Sequence, residues 1–168
     1  MSTPEHAGQS PDELAPDLLT AQAWLAPEAF EGSLAGVRVL DLSRVLAGPL
    51  CAQMLADHGA DVIKVEAPQG DETRLLGPPF VEPGQAAYFS ALNRGKRGLS
   101  LDLSQSTDRA ILKALLAQAD VLIENFVPGT MAKWGLGYDE YLSQALAQRA
   151  RWLICPATTP CCKPGVDS

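Results

Sequence analysis

The sequence is poor in the residues that most often carry chemistry. Histidine occurs twice in 168 residues, as His6 and His58, in no HExxH or other paired-ligand pattern, which removes the common histidine metal centres. The four cysteines are Cys51, alone in a helical stretch, Cys155 after an apolar run, and the adjacent Cys161 and Cys162. This spacing makes neither a CxxC pair nor a disulfide framework, so it argues against structural zinc and for incidental thiols. No window approaches the roughly 18 consecutive apolar residues of a membrane span. Residues 1–11 lack the basic-then-apolar order of a secretory signal, so a cytoplasmic protein with no membrane partner is expected. Basic residues are outnumbered, 13 against 20 acidic, for a formal charge of −7, which argues against nucleic acid as a partner. What remains, 46% hydrophobic and 20% charged, excludes collagen, coiled coil and bulk disorder. The length fits one domain or part of one.

The chain divides into three parts. Residues 1–33 are rich in proline and acids, with one short apolar stretch at 18–25, and read as an arm. From Gly36 a β-branched run at 36–42, an apolar-periodic segment at 49–58 opened by Pro49, Gly59 at the expected helix C′ position, and a second run at 61–66 predict a βαβ unit. Such a unit has parallel strands and a right-handed crossover. PQGDETRLLGPPFVEPGQ follows, too rich in Gly and Pro for a regular element. A weak helix at 86–92 comes next, then an extended segment on Leu99, Leu101 and Leu103. Ser106 or Thr107 caps a helix carrying Ile111, Leu112, Leu115 and Leu116, and a strand follows at 121–124. Helices at 128–134 and 138–148 and a strand at 152–155 complete the reading. The fold class is α/β with a parallel sheet and flanking helices. The tail PATTPCCKPGVDS, residues 156–168, has three prolines and no helical period where a covering helix belongs, which points to an incomplete domain.

In open parallel sheets ligands sit beyond the carboxyl ends of the strands, here segments 43–49, 66–74 and 124–129. The turn SRVLAGP offers backbone amides at a helix start, suited to an anion. It lacks GxGxxG, so Glu66 after the second strand is poorly supported as a ribose-binding acid. Arg94, Lys96 and Arg97 of NRGKR form a basic knot in an acidic chain. Two readings of it stay open, a phosphate-binding patch and a solvated loop. Arg44, Lys64, Arg74 and Lys133 add charge that would reinforce the first if they converge. No GxSxG occurs, Asp41 and Ser43 read as strand-end capping, and Asp102 and Asp120 read as helix caps, so the residues alone name no reaction.

Four segments, GVRVLDLSRVLAGPLCAQMLADHGADVIKVE, GDETR, YFSALNRGKRGLSLDL and ADVLIENFVPGTMAKWGLGYDEY, together resemble the N-terminal part of class III CoA-transferases, the group of formyl-CoA and carnitine CoA-transferases and the 2-methylacyl-CoA racemases. The match runs from about residue 34 to residue 155. The resemblance implies a Rossmann-like large domain holding coenzyme A, a smaller second domain and an interlocked homodimer. Its CoA contacts fall on Leu46 and Ala47, on Arg74 of GDETR, on Leu101, Asp102, Leu103 and Ser104, and on Asn125, Phe126 and Val127 with Lys133. Lys96 and Arg97 belong to a basic rim. Ala67 and Pro68 stand where some members place an adenine-stacking Arg.

The resemblance implies coenzyme A and acyl-CoA as substrate, with no permanently bound cofactor, and a small carboxylic acid as the other partner. An aspartate attacks the thioester in this family, and covalent exchange through an anhydride conserves the activation of the acyl group. That aspartate follows the last strand by a few tens of residues, and Asp167 does not match it. Residues 34–155 are therefore expected to be the N-terminal part of a CoA-binding domain, truncated before the nucleophile and inactive alone. Threading two rings needs whole rings, so the homodimer is expected of the full-length family and the oligomeric state of this chain stays open. A racemase-type fragment and a non-catalytic CoA-binding module are the alternative readings.

Overall fold

A computed structural model describes Trp24, residues 31–137 and the strand backbone at 152–154. Apart from Trp24, the apolar stretch at 18–25 lies outside the described residues, as do the expected helix at 138–148, Cys155 and the tail. A five-stranded sheet forms the centre: β1 (Arg38–Asp41), β2 (Asp61–Glu66), β5 (Arg97–Ser100), β6 (Val121–Ile123) and β7 (Trp152–Ile154). Its order is β5-β2-β1-β6-β7, and all four pairings are parallel, with Val39 opposite both Val62 and Val121. The helices are α1 (Ala47–Asp57), α2 (Ala87–Asn93), α3 (Ser106–Leu116) and the single turn α4 (Thr130–Lys133).

Side-chain alternation along the strands sends neighbours to opposite faces. Val39, Val62, Val121 and Ile123 pack with Ala52 and Ala60 on the α1 face. Leu40, Ile63, Val65 and Leu122 pack with Leu112, Leu115 and Leu116 on the α3 face. Both faces are thus covered, which is why these strands are almost continuously apolar. Trp24, from the segment read as an arm, is buried in the α3-side layer. Gly59 closes α1 at φ +94°, and a Cβ there would meet Glu31 O at 2.6 Å, so both the conformation and the space require glycine.

The βαβ unit, the helix at 106–116 and the strand at 121–123 agree with the sequence. Four details differ. The helix after β1 starts at Ala47, with Pro49 in its first turn, where a missing N–H costs nothing. Its counterpart α3 is preceded by Gln105, so Ser106 and Thr107 lie inside the helix instead of capping it. The segment 67–86 is not wholly irregular: it holds a 3₁₀ turn (Glu72–Leu75) and a small antiparallel pair, β3 (Phe80–Glu82) with β4 (Gln85–Ala86). Finally, β5 ends at Ser100. Asp102 Oδ1 accepts from Ser104 N at 3.0 Å and from Ser104 Oγ at 2.7 Å, and this side-chain turn curls the chain before the Leu99–Leu103 alternation can continue as strand.

Candidate functional site

From β1 the chain proceeds to β2 on one side and later to β6 on the other, so the sheet reverses direction between β1 and β6. Loops leaving adjacent strands in opposite directions open a crevice at their carboxyl ends. A cavity of about 420 Å³ lies there, lined by Leu42, Arg44, Lys64 to Ala67, Gly70, Asp71, the 101–104 loop, Phe126, Thr130 and Trp134. Its walls come from the segments after β1, β2, β5 and β6.

The loop after β1 is tightly made. Asp41 Oδ1 accepts from Ser43 N at 2.9 Å and from Ser43 Oγ, and Gly48 packs so closely on Ser43 that a Cβ would lie 2.2 Å from the serine Cβ. Asn125, 81 residues away, holds the main chain of Arg44 from both sides: its Oδ1 accepts from Arg44 N at 2.9 Å and its Nδ2 donates to Arg44 O at 2.7 Å. The Arg44 guanidinium lies 5.7 Å from the ring centre of Phe126, and Phe126 meets Trp134 edge to face at 5.2 Å.

Charge beneath the cavity is paired and buried. Lys64, between the apolar Ile63 and Val65 of β2, donates to Ser43 O at 2.8 Å and stands 3.2 Å from Asp71 Oδ2. Burial raises the Asp71 carboxyl, but hydrogen bonds from Thr73 and the charge of Lys64 outweigh it and hold the group below its ordinary value. Glu66 and Arg74 form a forked pair with two contacts of 2.7 Å, and the guanidinium stacks 3.8 Å from the ring centre of Phe89. Glu66 is likewise pushed up by burial and, on balance, held low by Arg74 and the Asp71 N–H. Lys96 Nζ donates to Asp41 Oδ2, Pro49 O and Asn93 Oδ1, each at 2.8 Å. Burial pulls its ammonium below the usual lysine range, against the opposing pull of Asp41. The half-buried Cys51 thiol is pushed up by burial and then by Asp41, which leaves it a poor nucleophile.

The expected contact residues divide into three groups. Leu101, Asp102, Leu103, Ser104 and Phe126 line the cavity, while Arg74 borders an adjoining groove with Glu66, Gly98 and Ser100. Leu46 and Ala47 open α1, exposed. Asn125 is spent on Arg44, Val127 is 76% exposed, and Lys133 is exposed on α4. None of these five lines the cavity.

Lys96 and Arg97 do not line it either, and the three cations of the 94–97 knot each pair with a different carboxylate. Lys96 is consumed under α1 by Asp41. Arg97 turns to Asp61 at the opposite, N-terminal end of β2, and Arg94 pairs with Asp57 at the end of α1. Three cations adjacent in sequence find three different carboxylates because β5 enters the sheet between them.

Sequence reasoning missed Asp108 and Arg109 of α3, which hold the 101–104 loop. Asp108 Oδ2 accepts from Asp102 N at 2.7 Å, and Arg109 Nη1 donates to Leu103 O at 2.9 Å and Ser104 O at 2.7 Å. An acid followed by a base in the first turn after an Asp-x-Ser turn was the available signal. Trp134 and Thr130 were missed as lining residues because α4 is a single turn without a readable period.

Comparison with known proteins agrees with this geometry. The model of CoA-transferase family III matches residues 34–147. The chain is similar to a succinate–glutarate CoA-transferase of Agrobacterium fabrum, 54% identical over 112 residues, which are 63% of this chain and 28% of the relative. It is also similar to a succinyl-CoA:mesaconate CoA-transferase of Haloarcula hispanica, 52% identical over 112 residues, covering 64% of this chain and 28% of that one. Among solved structures, a CAIB/BAIF family protein from Brucella suis superposes with a TM-score of 0.65 at 48% identity, over 67% of this chain and 31% of that chain. The chain thus spans about 28% of the length of these curated relatives. With the family model matching well over half of its residues, the chain belongs to CoA-transferase family III.

Proposed function

We propose that the described region is the CoA-binding part of an enzyme that moves CoA between an acyl-CoA thioester and a carboxylic acid. The observation that carries the reading is the cavity at the carboxyl ends of the strands, into which the 101–104 loop and Phe126 converge at the sheet's reversal point. Its mixed lining of apolar side chains with a few charged groups suits a long ligand that is apolar along its thiol arm and anionic at its nucleotide end.

Every cavity-lining carboxylate among the described residues is already engaged: Glu66 by Arg74, Asp71 by Lys64 and Thr73, Asp102 by Ser104. The role of these residues is then to bind and orient the thioester, while the attacking carboxylate comes from outside them. The relatives named as succinate–glutarate and succinyl-CoA:mesaconate CoA-transferases support succinyl-CoA as donor and a short dicarboxylic acid as acceptor. A cytoplasmic location and, for the whole enzyme, a homodimer belong to the same proposal. No helix of the described residues is long and apolar enough to cross a membrane.

Titration calorimetry of the chain with CoA tests the binding reading: a saturable single site is expected, and no heat at millimolar CoA would refute it. Incubation with succinyl-CoA and glutarate, followed by mass spectrometry for glutaryl-CoA, tests whether the described residues need the rest of an enzyme for turnover.

A further inference from the structure

Lys64, Arg74 and Lys96 are each committed to a carboxylate at the strand ends. Arg44 differs. Its side chain lines the cavity and is exposed, and among the described residues its guanidinium carries no ion pair and no hydrogen bond. It is nevertheless held. Asn125 clasps the Arg44 peptide on both sides. The next residue, Val45, sits at φ 71°, a left-handed conformation that a β-branched side chain adopts only when its surroundings enforce it. The guanidinium rests against Phe126, which Trp134 braces in turn. A cation–π contact directs the group while leaving its five N–H donors unspent.

Among the described residues every other cation of the cavity is neutralised, and Glu66, Asp71 and Asp102 stand in its walls, so a polyanionic ligand depends there on the uncommitted Arg44. We infer that Arg44 grips a phosphate of the CoA nucleotide end at the cavity mouth and so sets the preference for the nucleotide over the bare pantetheine arm. The inference rests on the CoA-binding reading and adds a residue and a ligand group to it.

The test is calorimetric titration of the wild-type chain and of Arg44→Gln and Arg44→Lys with CoA, 3′-dephospho-CoA and pantetheine, at two salt concentrations, with circular dichroism as the check on folding. Loss of charge-assisted hydrogen bonds predicts that Arg44→Gln weakens CoA about tenfold or more, with Arg44→Lys between the two. Its salt dependence should also become shallower, and its pantetheine affinity should not change. A loss that vanishes for dephospho-CoA assigns the contact to the 3′-phosphate; a loss that persists assigns it to the diphosphate. Equal CoA affinity in a folded Arg44→Gln, an equal loss for pantetheine, or an unchanged salt dependence overturns the role of Arg44 and leaves the CoA reading standing. Failure of the wild-type chain to bind CoA overturns both.

Discussion

The cations of the NRGKR pentapeptide and the lone Arg44 exchange the roles that their sequence settings suggest. The pentapeptide gathers three charges in four residues, yet each is answered by its own carboxylate: Asp57, Asp41 and Asp61. Arg44 stands among apolar neighbours in sequence, yet among the described residues it is the cation that faces the cavity without an acid. Clustering along the chain measures local charge; what a ligand meets is the charge left over after folding has paired the rest. Even within the pentapeptide the pairs are unlike, since the side chains of Lys96 and Asp41 are 1% and 0% exposed while those of Arg94 and Asp57 are 62% and 38% exposed.

That contrast is open to direct attack. The largest effect is expected from Lys96→Met, which strands Asp41 as a buried, uncompensated charge and should cost about 3–5 kcal/mol in urea unfolding. A loss below about 1 kcal/mol, the range of surface pairs, would show the pair to be no more than that. Next comes pH. Asp71 and Glu66 both lie below their ordinary values. A depressed carboxylate stabilises the fold above its unfolded pKa, and that contribution disappears as pH falls through the folded one. Stability should therefore hold down to about pH 5 and decline below about pH 4. Asp71→Asn should flatten that decline, and an acid limb identical to the wild type would remove Asp71 from the account.

Smaller is the effect of Arg109→Gln, which frees the carbonyls of Leu103 and Ser104 without touching the cavity. Losing such hydrogen bonds should reduce CoA affinity about threefold to tenfold while the salt dependence stays as in the wild type. A steeper or shallower salt slope would instead make Arg109 a ligand contact. Smallest is Arg94→Ala, whose exposed pair is expected to leave both the unfolding midpoint and CoA affinity unchanged. Any clear loss of CoA affinity there would revive the phosphate patch at 94–97.

Much of the fold was legible because it rests on local signals. The β-branched runs at 37–40 and 62–65, Gly59 at the end of the intervening helix and the spacing of Leu112, Leu115 and Leu116 are each sufficient for their elements. The end of β5 was not legible, because Leu99, Leu101 and Leu103 alternate as a strand would, while a single Asp102 side chain turns the backbone. The site was legible as a place, the carboxyl ends of the strands, and through Phe126 and the 101–104 loop as a lining. Its electrostatics were not. The partners of Lys96 and Arg97 lie 55 and 36 residues away, and the clasp of Asn125 on Arg44 spans 81, distances over which no sequence period carries information.

Hydrogen–deuterium exchange of the chain with and without CoA reports every segment at once and so locates the bound ligand. Protection on adding CoA is expected at 42–46, 101–104 and 125–130, with 94–97 unaffected. Protection centred on 94–97, or none at the strand ends, would contradict a CoA site built at the reversal point of the sheet.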